Sequence, residues 1–264
     1  MARREIRNAR VLITGASSGI GESLARAMVA EGAKVLLTAR RQERLEQLAS
    51  ELSSMAGEVQ VMAGDVTDGE HRRKLLGTMQ AEWDGIDILV NNAGVGAIGH
   101  FVNADDQRLR KVMEVNFFAV AEFVREAYPL LKESLQQGNS PAIVNVGSVL
   151  GHTAVPGKSE YCASKFALHG FNDSLRNELQ REGIDVILIS PSTTKSEFTA
   201  SLLEDQGGTA KNPYGMTPDA VAKHMIRGIR TGRREIILSI SGTLLVWLDR
   251  ICPPLASVIL RRFG

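Results

Sequence analysis

Short apolar runs alternate along the chain with longer segments whose apolar residues recur at helical spacing. The runs suit buried strands, and the longer segments suit amphipathic helices. Their alternation predicts an α/β fold with a doubly wound, seven-stranded, mostly parallel sheet and helices on both faces. The predicted strands are 11–13, 34–38, 59–62, 87–90, 142–146, 185–189 and 235–238. The predicted helices are 22–31, 42–53, 70–83, 105–137, 159–181 and 218–232.

The turn after the first predicted strand is rich in glycine and leads into the first helix. Glycines allow positive φ and leave the backbone N–H groups open to a phosphate. The helix N-terminus adds its partial positive charge. This arrangement predicts a pyrophosphate site for a dinucleotide, and the alternative is a tight turn without a ligand. The predicted contacts are Gly15, Ser17, Ser18, Gly19, Ile20 and Gly21.

The residues after the second strand bear on which dinucleotide binds. A carboxylate there would bind the adenosine ribose hydroxyls of NAD, whereas a basic group suits the 2′-phosphate of NADP. The chain has Ala39-Arg40-Arg41 and no acidic residue at this point. We therefore predict NADP(H) as the cofactor, with Arg40 at the phosphate. In the alternative reading, both arginines only begin a charged helix and face water.

Two further strand ends carry candidate cofactor contacts. After the third strand, Asp65 is placed to accept a hydrogen bond from an adenine amino group, with Val66 beside it. Asp65 is equally suited to cap the helix that follows. After the fourth strand, Asn92 is expected to satisfy backbone groups of neighbouring turns. Ala93 and Gly94 then form a floor that a flat ring can approach, and a plain turn is the alternative.

The strongest candidate for chemistry is the pair Tyr161 and Lys165. Residues four apart share a face of a helix, so an ammonium lies beside a phenol. A nearby cation favours the phenolate and lowers the tyrosine pKa from about 10, which suits a general acid/base. Ser148 follows the fifth strand and is expected to bring a hydroxyl to the same point. Asn116 lies between apolar neighbours, so its amide must find partners.

Charge and cysteine usage narrow the class of protein. The 264 residues include 31 basic and 30 acidic side chains, so no strong field attracts nucleic acid. The two cysteines form no metal-like cluster and suit free thiols in a reducing compartment. Residues 1–10 are charged and lack the apolar stretch of a signal peptide. We predict a cytoplasmic protein without a metal site, whose catalytic domain spans residues 1–240.

Residues 241–264 form an apolar C-terminal extension that Pro253 and Pro254 interrupt. We expect it to pack on the protein's own surface or on a partner subunit. The alternative is an interfacial membrane anchor over residues 243–263, with arginines at the lipid headgroups. The charged residues of the extension are Asp249, Arg250, Arg261 and Arg262.

Taken together, the motifs resemble those of the short-chain dehydrogenase/reductases. The resemblance covers about residues 8–240 and depends on order and spacing. It implies a Rossmann-type sheet, a nicotinamide cofactor, and homodimers or homotetramers built from the helices of Asn116 and Tyr161. The matching positions are Thr14 to Gly21, Asn91 to Gly94, Asn116, Ser148, Tyr161 and Lys165.

The resemblance also implies roles for single residues. Lys165 would hold the nicotinamide ribose, and Asn116 would position a water that links Lys165 to solvent. Pro191 and Thr193 would contact the nicotinamide side of the cofactor. The family usually has Pro-Gly after the sixth strand, where this chain has Pro191-Ser192, and serine restricts the backbone there.

These features predict an NADP(H)-dependent oxidoreductase that interconverts a carbonyl and a secondary alcohol. Tyr161 would transfer the proton, and Ser148 would stabilise charge on the substrate oxygen. The alternative is a non-catalytic NADP(H)-binding sensor acting on a protein partner, whose expected mark would be a lost tyrosine or lysine. Epimerase or dehydratase chemistry is disfavoured, because such enzymes have a different glycine spacing and a larger C-terminal domain. A small, apolar substrate is predicted between residues 95–102 and 192–216, which include Phe198, Leu202 and Leu203.

Overall fold

A computed structural model describes residues 4–195, 202–205 and 215–260. Seven strands form one parallel sheet in the order β3-β2-β1-β4-β6-β7-β9. Two short strands, β5 and β8, pair separately. The strands are β1 (Arg10–Thr14), β2 (Lys34–Ala39), β3 (Glu58–Ala63), β4 (Ile88–Asn91), β5 (Gly96–Ile98), β6 (Ala142–Val146), β7 (Asp185–Pro191), β8 (Leu202–Asp205) and β9 (Glu235–Leu238).

Helices connect the strands and lie on both faces of the sheet. The α-helices are α1 (Gly19–Ala30), α2 (Gln42–Leu52), α3 (Gly69–Trp83), α4 (Arg108–Met113), α5 (Ala119–Gln136), α6 (Ser159–Leu179), α7 (Pro218–Thr231), α8 (Ile240–Ile251) and α9 (Pro253–Leu260). This is the predicted doubly wound, Rossmann-type fold, with each predicted strand of the main sheet present.

Side chains alternate between two apolar clusters because successive residues of a strand point to opposite faces. In β1, Val11 and Ile13 pack with Leu24 of α1 and Met225 of α7. Leu12 packs into the other cluster, with residues of α3 and α5. Both faces of the central strands are therefore covered, as their continuous apolar sequences require.

The long predicted helix 105–137 is divided in the structure. It consists of α4, a π-helical turn over Glu114–Phe118, and α5, which contains Pro129. A π-turn inserts an extra residue into the helical ladder and is frequent at functional sites. Here the turn contains Asn116, whose side chain is fully buried.

The carboxyl ends of the parallel strands form the edge that positions the candidate site. Strand order reverses between β1 and β4, which lie side by side with Ile13 opposite Val90. Crevices outside the strand ends at such a reversal are where open α/β sheets bind ligands. The glycine-rich turn follows β1, and the segment from Asn92 to Gly94 follows β4.

Candidate active site

The glycine-rich turn after β1 closes against the end of β4. Gly15 has φ +65°, and a Cβ on it would lie 2.8 Å from the Cα of Ala93. Gly21 allows no side chain either, since a Cβ there would lie 2.5 Å from the Gly15 carbonyl oxygen. Helix α1 begins at Gly19, three residues before the predicted start, so Gly19 to Gly21 form its first turn. The open N–H groups of this first turn suit a phosphate.

The Asn92 side chain binds the backbone of this turn. Its amide nitrogen Nδ2 donates to the carbonyls of Thr14 and Gly15 at 2.9 and 3.1 Å. The Thr14 hydroxyl accepts from the N–H groups of Asn92 and Ala93 at 2.9 and 3.0 Å. Asn92 therefore positions the turn, while Ala93 and Gly94 remain the small residues next to it.

Arg41 is the basic residue that reaches the glycine-rich turn. Its Nη2 donates to the hydroxyls of Ser17 and Ser18 at 3.1 and 2.7 Å. Arg40, the predicted phosphate ligand, is exposed just beyond β2. The sequence reading considered Arg41 only as the start of a helix. The two arginines differ because the Arg41 side chain extends to the turn and contacts Ser17 and Ser18.

The adenine-side candidates lie beyond β3. Asp65 is exposed, and its Oδ1 accepts from the backbone N–H and the hydroxyl of Thr67, both at 2.9 Å. The helix cap is Asp68, which accepts from the N–H of Glu70. Capping by Asp65, one of the two predicted roles, is therefore wrong. Val66 is buried beside it.

Ser148, Tyr161 and Lys165 meet at the end of β6. Ser148 follows that strand and hydrogen-bonds the Tyr161 phenol. Lys165 is one turn further along α6, with Nζ 5.7 Å from the Tyr161 ring centre. Nζ donates to the Val146 carbonyl at 2.9 Å. Three side chains that are separated in the sequence thus lie together at the carboxyl end of β6.

Burial decides the protonation of this cluster. Burial raises the pKa of Tyr161 to about 12, and the Ser148 hydrogen bond offsets this only in part. Burial lowers the pKa of Lys165 to about 8. The expected lowering of the tyrosine pKa by Lys165 is wrong for this arrangement, because the ammonium points to the Val146 carbonyl while desolvation disfavours the phenolate. At neutral pH the tyrosine keeps its proton.

Asn116 connects the π-turn to the cluster. Its Oδ1 accepts from the Val95 N–H, and its Nδ2 donates to the Val95 carbonyl, both at 2.9 Å. Nδ2 also donates to the Ser164 hydroxyl at 3.0 Å. A Cβ on Gly94 would lie 3.3 Å from Asn116 Oδ1 and 3.8 Å from Lys165 Nζ. Asn116, Gly94 and Lys165 are therefore neighbours.

The remaining predicted contacts lie at the end of β7 and beyond it. Pro191 is buried as the last residue of β7, and Thr193 is exposed, with its carbonyl accepting from the Met216 N–H at 3.0 Å. In the predicted substrate region, Gly96 of β5 pairs with Leu202 of β8. Phe198 lies outside the described residues.

Buried residues that the sequence analysis did not single out form ion pairs and hydrogen bonds between the elements that carry this site. Arg108 and Glu160 form a buried ion pair at 2.7 Å, directly before Tyr161. Asn91 donates to Asn145, which donates to Asn172, and all three amides are buried. Arg108 and Glu160 are 52 positions apart, so only a contact prediction would have joined them.

Comparison with known proteins decides the family. Residues 9–207 match the profile of a family described as short chain dehydrogenase. The chain belongs to the short-chain dehydrogenases. This family comprises oxidoreductases with a Rossmann nucleotide-binding fold that use NAD or NADP, so the chain is an oxidoreductase of that type. The predicted resemblance is thereby confirmed.

Curated relatives of this short-chain dehydrogenase span most of its length. A dehydrogenase/reductase SDR family protein 7-like of Anopheles gambiae is 31% identical over 98% of this chain and 86% of its own. A nodulation protein G of Rhizobium sp. (strain N33) is 37% identical over 76% of this chain and 80% of its own.

Solved structures share the fold of this short-chain dehydrogenase. A short chain dehydrogenase/reductase from Burkholderia phymatum, in complex with NAD, superposes with a TM-score of 0.86 at 24% identity, covering 95% of this chain and 96% of its own. An alcohol dehydrogenase from Thermococcus sibiricus, complexed with 5-hydroxy-NADP, has a TM-score of 0.76 at 24% identity, covering 86% and 94%. Among the described residues, no helix has both the length and the apolar character needed to cross a bilayer.

Proposed function

We propose that this short-chain dehydrogenase is an NADP(H)-dependent oxidoreductase that interconverts a carbonyl and a secondary alcohol, with Tyr161 as general acid/base. The observation that carries the proposal is the Ser148–Tyr161 hydrogen bond next to Lys165. It lies on the same sheet edge as the glycine-rich turn. A proton donor beside a dinucleotide site is the combination that carbonyl reduction needs.

The glycine-rich turn and its neighbours fit a dinucleotide. Side chains at Gly15 or Gly21 would collide with the protein's own backbone, so glycine at both positions is what allows the tight turn that a dinucleotide site of this type has. A bound nicotinamide cofactor would supply or accept the hydride. The chain's residues that would hold it are Gly15, Ser17, Ser18, Gly19, Ile20, Gly21, Arg40, Asp65, Val66, Asn92, Ala93, Gly94, Tyr161, Lys165, Pro191 and Thr193.

Tyr161 and Ser148 would have different roles at the substrate oxygen. With a pKa of about 12, Tyr161 holds its proton at neutral pH and donates it as charge develops on that oxygen. Ser148 hydrogen-bonds the same oxygen and stabilises the charge. Reduction uses the protonated phenol as the acid, and oxidation uses the phenolate as the base.

Lys165 and Asn116 would assist the proton transfer without contacting the substrate oxygen. Lys165 is 5% exposed, and its pKa of about 8 leaves it mostly protonated at pH 7. Its ammonium would hold the ribose of the nicotinamide when the cofactor is bound. Asn116 would position a water that returns a proton through Lys165, a role favoured by its place beside Gly94 and Lys165.

The preference for NADP(H) is argued from two arginines. No carboxylate follows β2, and Arg40 is exposed with its charge available to a 2′-phosphate. Arg41 contacts Ser17 and Ser18 of the turn and would share that phosphate. We expect Arg40→Ala to weaken NADPH binding at least about tenfold and to leave NADH binding unchanged. Arg41→Ala should weaken NADPH binding more than NADH binding, because Arg41 also contacts the turn that both cofactors would share. Fluorescence titration with both cofactors measures this, and a preference for NADH in the wild type would contradict it.

The central test is Tyr161→Phe. We expect NADPH oxidation over a panel of ketones and aldehydes to disappear in this variant, while fluorescence titration shows NADPH bound as in the wild type. Loss of turnover with retained binding separates proton transfer from cofactor binding. Turnover retained by the phenylalanine variant would contradict the role of Tyr161. Failure of the wild type to oxidise NADPH with any carbonyl, despite binding it, would favour the sensor function instead.

Self-association through α5 and α6 is the arrangement we propose for the oligomer. Phe118, the last residue of the π-turn before α5, and Phe166 on α6 are 47% and 43% exposed, although both are large and apolar. Exposed apolar patches of this kind mark interaction sites. We expect Phe166→Glu to convert a homodimer or homotetramer into smaller species in light scattering after gel filtration. An unchanged mass would show that another face mediates assembly.

The extension is proposed as a lipid contact. Val246 and Ala256 are buried, so α8 and α9 pack partly on the protein, yet Ile240, Leu244, Trp247 and Ile251 are 54–81% exposed. Apolar side chains beside Arg250 suit an interfacial helix pair. We expect vesicles of anionic lipid to float the full chain and not a variant lacking residues 244–264. Flotation unchanged by this deletion would exclude the lipid contact, and a change in mass instead would favour a partner subunit.

A further inference from the structure

Three side chains with metal-ligating atoms meet behind the active site. His152 follows the 3-10 turn Val149–Gly151, His169 lies on α6, and Glu235 begins β9. One ligating atom from each lies within 4.8 Å of the other two. The sequence analysis predicted no metal site, because the two cysteines form no metal-like cluster, and it did not consider these three residues.

Glu235 and His152 form the inner half of this cluster. His152 Nε2 lies 2.6 Å from Glu235 Oε1, which also accepts from the Ser190 hydroxyl at 2.8 Å. The His152 side chain is 1% exposed. The other ring nitrogen, Nδ1, is buried and has no hydrogen-bond partner among the described residues. Nε2 is therefore the nitrogen of His152 that faces the other two side chains of the cluster.

His169 forms the outer half, with its ring 4.2 Å from that of His152. Its Nδ1 lies 3.1 Å from the Gly151 carbonyl and donates to it, which leaves Nε2 with a lone pair in the neutral ring. Nε2 in turn lies 3.4 Å from Asp173 Oδ2. A lone pair facing a carboxylate needs either a proton or a metal ion between the two atoms. Donation from one ring nitrogen to a carbonyl is also the support that metal-bound histidines have.

The cluster is open to an ion from solvent. A surface pocket lined by His152, His169, Asp173 and Arg250 leads to it. Two carboxylates face the cluster, from Glu235 and Asp173, and the latter is shared with Arg176 at 2.6 Å.

We infer that His152, His169 and Glu235 bind a first-row divalent transition ion, with Asp173 or water as the fourth ligand. Two imidazoles and one carboxylate are a donor set that suits such ions. Metal–ligand bonds of about 2.1 Å in a tetrahedron separate the ligands by about 3.4 Å. The ion would replace the proton between His152 and Glu235 and would open their contact by less than about 1 Å.

Such an ion would join three elements that carry or border the active site. It would connect the turn after Ser148, the helix that holds Tyr161 and Lys165, and strand β9. It would not touch the substrate or the cofactor. Its expected effect is on stability and on the placement of Ser148 against Tyr161.

The test is Zn²⁺ binding by the metal-free full-length protein, measured by titration calorimetry. We expect one Zn²⁺ per chain, and at least about tenfold weaker binding in His169→Gln and in Glu235→Gln. His224→Gln is the matched control, because His224 is an exposed histidine on α7. Cys252→Ser tests whether a thiol is the ligand. Each variant is first checked for native near-UV circular dichroism.

Three results would overturn the inference. The first is no saturable binding to the wild type, the second is equal affinity in all variants, and the third is loss of binding in Cys252→Ser. The Co²⁺-loaded wild type gives a readout that needs no variant. A visible spectrum of four-coordinate Co²⁺ with nitrogen and oxygen ligands supports the site, whereas a thiolate charge-transfer band contradicts it.

Discussion

Replacing only one partner of the buried ion pair between Arg108 of α4 and Glu160 of α6 should strongly lower the free energy of unfolding. Arg108 Nε donates to Glu160 Oε1 at 2.8 Å, Nη2 lies 2.7 Å from the same oxygen, and both side chains are 1% exposed. Glu160→Leu leaves the guanidinium buried without its carboxylate. Removing one partner of a buried pair costs about 3–5 kcal/mol. With an m-value of about 3 kcal/mol/M, the urea midpoint should fall by about 1–1.7 M.

The assay is urea unfolding followed by far-UV circular dichroism at pH 7, completed as a double-mutant cycle with Arg108→Met. The double variant should be more stable than either single variant, since it buries no unpaired charge. Glu70→Gln is the matched control, because Glu70 pairs with Lys74 at 2.7 Å on the surface and should show no measurable change. Strictly additive single effects would refute the reasoning. So would a Glu160→Leu midpoint equal to that of the control.

Two further predictions concern the turn and the lysine. Gly21→Ala would place a Cβ 2.5 Å from the Gly15 carbonyl oxygen and from Asn92 Nδ2, so NADPH titration should show at least about tenfold weaker binding. Gly77→Ala, with open space around its Cβ, is the control, and equal binding by both variants would contradict the close approach. Folded Lys165 has a pKa of about 8 against 10.5 unfolded. The unfolded chain therefore binds more protons between these values, and the wild type should gain up to about 3 kcal/mol on Lys165→Met as pH rises from 8 to 10.5. A constant difference in urea stability over that range would show that burial does not govern this ammonium.

Features that depend on residues adjacent along the chain were predictable from the sequence. Apolar runs such as Val11-Leu12-Ile13 predicted the buried strands, since a strand covered on both faces must be apolar throughout. The glycines after β1 predicted the turn, because few other residues take its backbone path. The structure differs from these predictions at the start of α1 and at the π-turn that contains Asn116, and it adds β5, β8, α8 and α9, which the sequence analysis did not predict.

Side-chain reach and burial, by contrast, follow from the tertiary structure. Arg41 rather than Arg40 contacts the turn because of where the β2 end lies relative to Ser17. The pKa of Tyr161 rises because the surrounding protein excludes water, which its four-residue spacing to Lys165 does not reveal.

By itself, then, the sequence determined the order of strands and helices, the dinucleotide-type turn and the family to which the chain belongs. These are local patterns of polarity and backbone freedom. The tertiary structure alone decided the partners of Glu160, the protonation of Tyr161 and Lys165, and the meeting of His152, His169 and Glu235. Each of these depends on distances between residues far apart in the chain, and on the local dielectric, which only the packed fold sets.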